Sequence, residues 1–298
     1  MQQVIEKAAV LIEALPYIQK FHGETIVVKF GGSIMDDEDG VRAILNDVAF
    51  MACVGLRPVI VHGGGKAITQ RMKEKGLPAK FVKGLRVTDE ATMEIVEDVL
   101  NHHINPQMVE RLQSFGATAR GIHGDDILRV TRHRENDEET GRPLDWGFVG
   151  DVCEADIAPV QAFLQAGIVP LITPLGRGED RHIYNVNADE AASALARSLA
   201  ARKLVFLSDV PGLLSDPADP TSVISSVRVG EVEGLIKRGV IAGGMLPKIG
   251  GAINAVKAGV SKTHIIDSSL AHSLLLELFT DQGVGTEIVA LRLTGRRP

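Results

Sequence analysis

Cysteine is nearly absent: Cys53 and Cys153 are the two in 298 residues. A disulfide framework is not expected, nor is a cysteine-based zinc site. Two reduced thiols in a cytoplasmic protein are expected instead. Aromatic residues are also few, at nine Phe, two Tyr and one Trp. Positive charge is outnumbered, with 32 Lys and Arg against 38 Asp and Glu, and no basic run concentrates it. Nucleic-acid binding, which needs a clustered positive footprint, is therefore not expected. No apolar run approaches the roughly 20 residues needed to span a bilayer, so no membrane partner is expected. Glu6 and Glu13 interrupt the apolar residues of the opening stretch, unlike a signal peptide.

What is present is a 45% hydrophobic chain with a strong rhythm. Val4, Ala8, Leu11, Ile12 and Leu15 recur at helical spacing, which predicts an amphipathic helix over 2–15 that Pro16 ends or kinks. This helix either packs on its own domain or serves as an arm to another subunit. Short apolar strands then alternate with helices. Strands are expected over 25–30, 57–62, 117–124, 126–132, 147–152, 168–172, 203–210, 262–267 and 286–290. Helices are expected over 40–54, 65–76, 89–102, 105–115, 156–166, 188–201, 229–238, 246–258 and 271–279, with a polar hairpin tip at 134–143. Such alternation predicts an α/β fold with a mainly parallel sheet covered on both faces. No Pro-, Gly- or Ser-rich linker divides it. A boundary near 200–203, with two lobes sharing one sheet, fits best.

Two glycine clusters follow strands: "FGGS" at 30–33 and "HGGGK" at 62–66. Ligands of open α/β folds collect at the carboxyl ends of strands, where glycines bare the backbone N–H groups of a helix start. Neither cluster is a standard nucleotide motif. The spacing GxxxxGK[ST] fails, because Ile60 stands five before Gly65 and Ala67 follows Lys66. Either cluster by itself could be a tight turn. More polar residues stand at comparable places. Lys29 interrupts an apolar strand, and a buried lysine needs an anion. Asp189, in "NVNAD" (185–189), precedes a helix and could simply serve its dipole. "SDVPG" (208–212) closes a strand with a turn. "GGMLPK" (243–248) sets Lys248 in a first helical turn, where a cation opposes the dipole unless an anion compensates. Two lysines among anion-accepting turns suit phosphoryl transfer, which demands charge neutralisation and little covalent chemistry.

These segments, taken in order as K-F-G-G-S (29–33), V-H-G-G-G (61–65), G-L-R-V-T-D (84–89), N-V-N-A-D (185–189), S-D-V-P-G (208–212) and G-G-M-x-P-K (243–248), resemble the amino-acid kinase family, most closely its acetylglutamate kinase branch. The resemblance spans about residues 24 to 290. It implies a three-layer αβα sandwich around a mainly parallel open sheet. Its parts would be an N-terminal oligomerisation helix (1–22), an acyl-amino-acid-binding and dimerisation lobe (23–202) and an ATP-binding lobe (203–298). It implies that Lys29 and Lys248 flank the transferring phosphoryl group and that Asp189 holds both. Gly31, Gly32, Gly64 and Gly65 would offer backbone N–H groups to phosphoryl and substrate. Arg86 and Asn185 would bind the carboxylates of N-acetyl-L-glutamate, Arg86 through its bidentate fork. Asp209, Gly212, Leu214 and Gly243 would hold ATP, with Mg²⁺ carried on the nucleotide rather than on a protein metal site.

Arginine-inhibited members of this family carry a kinked N-terminal helix and a Glu followed by Gly-x-Gly-Thr. Residues 2–20 and Glu277 with Gly283-Val284-Gly285-Thr286 match both, as do Tyr17 and His264. The resemblance therefore implies feedback inhibition by L-arginine and a hexamer built as a trimer of dimers. Two alternatives stand beside this reading: a kinase of a longer acylated amino acid such as N-acetyl-aminoadipate, and a non-catalytic regulatory binder.

Overall fold

The computed structural model describes residues 1–137, 140–216, 218–280 and 283–290, and of residues 2–4 and 6–8 the backbone alone. The strands of its main sheet pair where continuous apolar runs predict them, except the three-residue edge strand Ser226–Arg228, which was not expected. One eight-stranded sheet runs Ser226–Arg228, Gly285–Val289, Lys262–Asp267, Lys203–Ser208, Thr25–Phe30, Arg57–His62, Val169–Ile172, Ala119–Ile122. All neighbours are parallel except Lys262–Asp267 with Gly285–Val289. The strands are apolar on both sides because helices cover both faces. Side chains alternate between those faces. Ile26, Val28, Phe30 and Ile60 join a core with the helices Glu38–Cys53, Glu90–Glu97 and Asn105–Ser114. Val27, Val59 and Val61 join the other core, with Ala188–Ser198 and Met245–Lys257. The architecture is the three-layer αβα sandwich with a mainly parallel sheet.

Four shorter strands, Leu128–Arg132, Val149–Ala155, Leu175–Gly178 and Ile183–Val186, close on each other beside the main sheet. The strand expected at 126–132 starts later, because Gly124–Ile127 form a helical turn. Leu175–Gly178 and Ile183–Val186 had no counterpart in the sequence reading, being four residues long and broken by Gly or polar residues. The helices expected at 89–102 and 105–115 form one continuous run, Glu90–Glu97, the π-helical Asp98–Ile104 and Asn105–Ser114. The polar tip pairs Glu135–Asn136 with Pro143–Leu144; its residues 138–139 lie outside the described ones.

The N-terminal helix does not end at residue 15. It runs Gln2–Phe21 with Pro16 inside, and it meets the body through Tyr17, Ile18 and Phe21. Leu11, Ile12 and Leu15 stand 67%, 69% and 44% exposed, so this apolar stripe is not covered by its own chain. The Val4 and Ala8 side chains of that stripe lie outside the described residues, as do residues 291–298 of the C-terminal lobe. Among the described residues no helix is long and apolar enough to cross a membrane.

Candidate active site

Alternation along Thr25–Phe30 sends Lys29 to the same face as Val27, the face covered by Ala188–Ser198 and Met245–Lys257. Asp189 is the second residue of the first of these helices, and Lys248 lies in the first turn of the other. The two helices approach closely at Gly251, where a Cβ would stand 2.6 Å from Ser193 Oγ. That approach brings Lys248 Nζ to 2.8 Å from Asp189 Oδ2, while Lys29 Nζ sits 2.7 Å from Oδ1. Lys29 and Asp189 are buried and Lys248 is half-buried. Burial pushes the Asp189 carboxyl up, but the two ammonium groups outweigh it and hold the carboxyl below its usual range. Burial, with Lys248 adding to it, lowers Lys29 in spite of Asp189. One carboxylate between two cations leaves a net positive charge facing the carboxyl ends of the strands.

The glycine turns lie beside this cluster. A Cβ on Gly31 would stand 3.0 Å from Gly63 Cα and 3.6 Å from Lys29 Nζ, so the two turns touch backbone to backbone under the lysine. Gly32 opens a short 3₁₀ helix, Gly32–Asp36, and Gly64 caps the helix Gly65–Glu74. Arg86 is buried in a two-residue strand, its guanidinium 4.7 Å above the Phe81 ring. It donates to the Gly65 carbonyl and to Thr69 Oγ1, both at 2.7 Å, and burial lowers its pKa. Asn185 Nδ2 donates to Thr88 Oγ1 at 3.3 Å, and that hydroxyl donates to the Arg86 carbonyl. Arg86, Asn185 and Gly65 are thus joined in one network.

Among the candidates for nucleotide contact, Asp209 follows the strand Lys203–Ser208 and accepts from Ser33 Oγ at 3.3 Å across the 3₁₀ turn. Gly212 is buried against Thr286, and Leu214 bridges to Val223. Gly243 is exposed in the turn that opens the helix of Lys248. Among the described residues no group of three or more His, Cys, Asp and Glu is disposed to hold a metal ion.

At the amino ends of the strands lies a cavity of about 360 Å³. Tyr17, His264, Glu277 and Gly283 all line it, with Lys20, Lys203, Lys262 and Glu287. His264 Nδ1 is 2.7 Å from Glu277 Oε1, and Val284 N–H donates to Oε2 at 3.2 Å. Lys203 Nζ is 3.8 Å from Glu277, and Lys262 pairs with Glu287 at 2.5 Å. Burial pushes the Glu277 carboxyl up, but His264 and Lys203 hold it below its usual range. Burial also lowers His264.

A family model described as the amino acid kinase family matches residues 24–267. An acetylglutamate kinase of Heliobacterium modesticaldum is 46% identical over 294 residues, covering 97% of this chain and 100% of that relative. The chain belongs to the amino acid kinase family, among the acetylglutamate kinases. Among solved structures, an N-acetylglutamate synthase from Neisseria gonorrhoeae, complexed with coenzyme A and N-acetyl-glutamate, superposes with a TM-score of 0.81 at 25% identity. The alignment covers 95% of this amino acid kinase and 63% of the synthase. The same synthase with coenzyme A and L-arginine gives 0.78 at 25% identity, over 95% and 65% of the two chains.

Several residues of this amino acid kinase escaped the sequence reading. Thr88, which joins Arg86 to Asn185, lies inside the quoted G-L-R-V-T-D segment, but only the small sheet shows what its hydroxyl touches. Lys203 begins an apolar strand, the same signal that marks Lys29, and the cavity at the amino ends explains it. Ser33 ends the first glycine segment and reaches Asp209 across a gap that sequence spacing does not reveal.

Proposed function

We propose that this amino acid kinase transfers the γ-phosphoryl group of ATP to the γ-carboxylate of N-acetyl-L-glutamate, as a cytoplasmic step of arginine biosynthesis. The observation that carries the reading is the Lys29–Asp189–Lys248 cluster beside two side-chain-free turns. Two ammonium groups held by one carboxylate supply positive charge on both sides of a phosphoryl group in flight, which is the main requirement of this chemistry. Gly31, Gly32, Gly64 and Gly65 bring backbone N–H groups to that phosphoryl and to the substrate. Arg86 and Asn185 take the substrate carboxylates, and Asp209, Gly212, Leu214 and Gly243 take the nucleotide. The cationic cluster fits a polyphosphate, and Mg²⁺ arrives on ATP, whose charge it partly neutralises. No general base is needed, because a γ-carboxylate is already ionised at neutral pH.

The cavity at the amino ends would bind L-arginine as an inhibitor. It offers carboxylates for a guanidinium or ammonium and lysines for a carboxylate, so a ligand carrying both signs suits it. The uncovered stripe of the N-terminal helix suits pairing with another subunit in a hexamer. The relatives named acetylglutamate kinase support the choice of substrate. An assay of ADP release tests it, with N-acetylglutamate, glutamate and N-acetyl-aminoadipate in turn. Preference for N-acetylglutamate is expected. Equal or better turnover of N-acetyl-aminoadipate would move the substrate, and no turnover with any of the three would leave a ligand-binding protein.

A further inference from the structure

His62 ends the strand Arg57–His62, directly before the Gly63–Gly65 turn, and is fully buried. The alternation that puts Val61 on the Lys29 face puts His62 on the other, with Ile60. It therefore points away from the lysine cluster, into the helical layer behind the turn. Both ring nitrogens have definite partners. Nε2 is 3.0 Å from Asn105 Nδ2, and Nδ1 is 3.2 Å from the Gly63 carbonyl oxygen.

The proton positions follow from what each partner can do. Asn105 Nδ2 is 2.9 Å from the Leu171 carbonyl oxygen, which can only accept, so the amide nitrogen faces that way. The same nitrogen donates its second hydrogen to His62, whose Nε2 must present a lone pair. The ring proton is then on Nδ1, and it donates to Gly63. Burial keeps the imidazole neutral, its pKa pushed down to about 4.

Asn105 reaches this spot through the π-helical stretch. Pro106 has no N–H and crowds the preceding turn of a regular helix. Over Asp98–Ile104 the helix widens, and the Asn105 N–H bonds to the Leu100 carbonyl five residues back. Asn101 and Asn105 then both face the sheet. Asn101 accepts from Thr173 Oγ1 at 2.8 Å, while Asn105 donates to His62 and Leu171.

We propose that His62 is a positioning residue for phosphoryl transfer, holding the Gly63 carbonyl as its neutral Nδ1–H tautomer with Asn105 as the clamp. In a planar trans peptide the C=O and the following N–H point in opposite directions. Fixing the Gly63 carbonyl toward His62 therefore aims the Gly64 N–H away from it, out of the helical layer. This rests on the reading above in one respect: Gly64 N–H serves a ligand there.

Two measurements test it. A long-range ¹H–¹⁵N spectrum of the full-length, ¹⁵N-histidine-labelled protein reads the tautomer without any activity. A neutral Nδ1–H ring is expected from pH 6 to pH 8, and an Nε2–H ring or an imidazolium would overturn the proposal. The second measurement is the kinetics of two variants. His62→Asn sets an amide nitrogen where Nδ1 stands and restores the donor to Gly63. His62→Gln sets its amide near Nε2 and leaves Gly63 without a donor. His62→Gln is expected to lose about tenfold in kcat with little change in KM for ATP, while His62→Asn keeps most of it. Equal kcat in the two variants, at matched thermal stability, would overturn the positioning role. Should either variant fail to fold, the wild-type spectrum decides. A wild-type protein inactive on N-acetylglutamate would sink the kinase reading and leave the tautomer result standing.

Discussion

Two clusters of buried charge stand at opposite ends of the same strands. Lys203 begins the strand Lys203–Ser208 and Asp209 follows it, a separation of roughly 20 Å at the usual rise per residue. At the carboxyl ends one carboxylate is shared by two lysines, among turns that lack side chains. At the amino ends Lys20, Lys203 and Lys262 line a cavity with Glu277, Glu287 and His264, so two carboxylates stand among three lysines. Burial lowers Lys29 and Lys203 alike. What differs is the count of partners. A single carboxylate taken up by two lysines leaves only positive charge to offer and seeks an anion, whereas a cavity lined by both carboxylates and lysines suits a ligand with both signs. One hydrogen bond links the two regions: Thr286 Oγ1, between the cavity-lining Gly285 and Glu287, accepts the Leu213 N–H at 2.8 Å.

The comparison breaks most sharply at the lysines. Lys29→Ala and Lys248→Ala are each expected to lose about 10²–10³ in kcat, because each removes a charge from the transition state. Calorimetric binding of arginine to the same variants should stay near wild type. Near-normal turnover in either would remove that lysine from the phosphoryl site.

Arg86→Lys comes next. Lysine keeps the charge but loses the two-point contact and the Gly65 and Thr69 bonds. KM for N-acetylglutamate should rise about tenfold or more, with a much smaller rise for ATP. An equal rise in both would place Arg86 outside the acyl-amino-acid pocket.

At the other end, Glu277→Ala should raise the arginine concentration for half-inhibition by about tenfold, a coupling within the usual 1–3 kcal/mol. The change in kcat should be smaller than the change in inhibition. Deleting residues 1–20 should weaken inhibition as well and reduce the particle mass in light scattering from a hexamer to a dimer. A truncated hexamer, or a full-length protein indifferent to millimolar arginine, would leave the cavity without its assigned ligand.

The last effect is in acid stability. The folded pKa of His62 lies below its unfolded value, so its contribution is present above about pH 6.5 and is lost as pH falls toward about 4. Denaturant midpoints in that window should fall more steeply for wild type than for His62→Asn. Parallel curves would mean that His62 is not held neutral by burial.

Legibility in the sequence followed the range of each cause. Lys29 stood out because a charge inside an apolar strand is locally anomalous, and the strands Thr25–Phe30 and Lys262–Asp267 were readable to the residue. The strands Leu175–Gly178 and Ile183–Val186 were not, because four residues carry too little periodicity and their pairing is with each other and with distant strands. The π-helical stretch was hidden for a related reason: Asn105-Pro106 reads as a break, yet the helix absorbs the proline by widening.

By itself the sequence determined the alternation of strand and helix, the glycine turns at strand ends and the lone lysine among apolar neighbours, since periodicity and local anomaly are properties of a short window. Only the tertiary structure decided that Asp189 stands between Lys29 and Lys248, through the close helix crossing at Gly251. It also decided that Tyr17, from the N-terminal helix, shares a cavity with Glu277. The His62 proton position rests on three separate elements, through Gly63, Asn105 and Leu171. Contacts of this kind depend on which faces the sheet and helices turn toward one another, and that is settled when the whole core packs rather than within any one stretch.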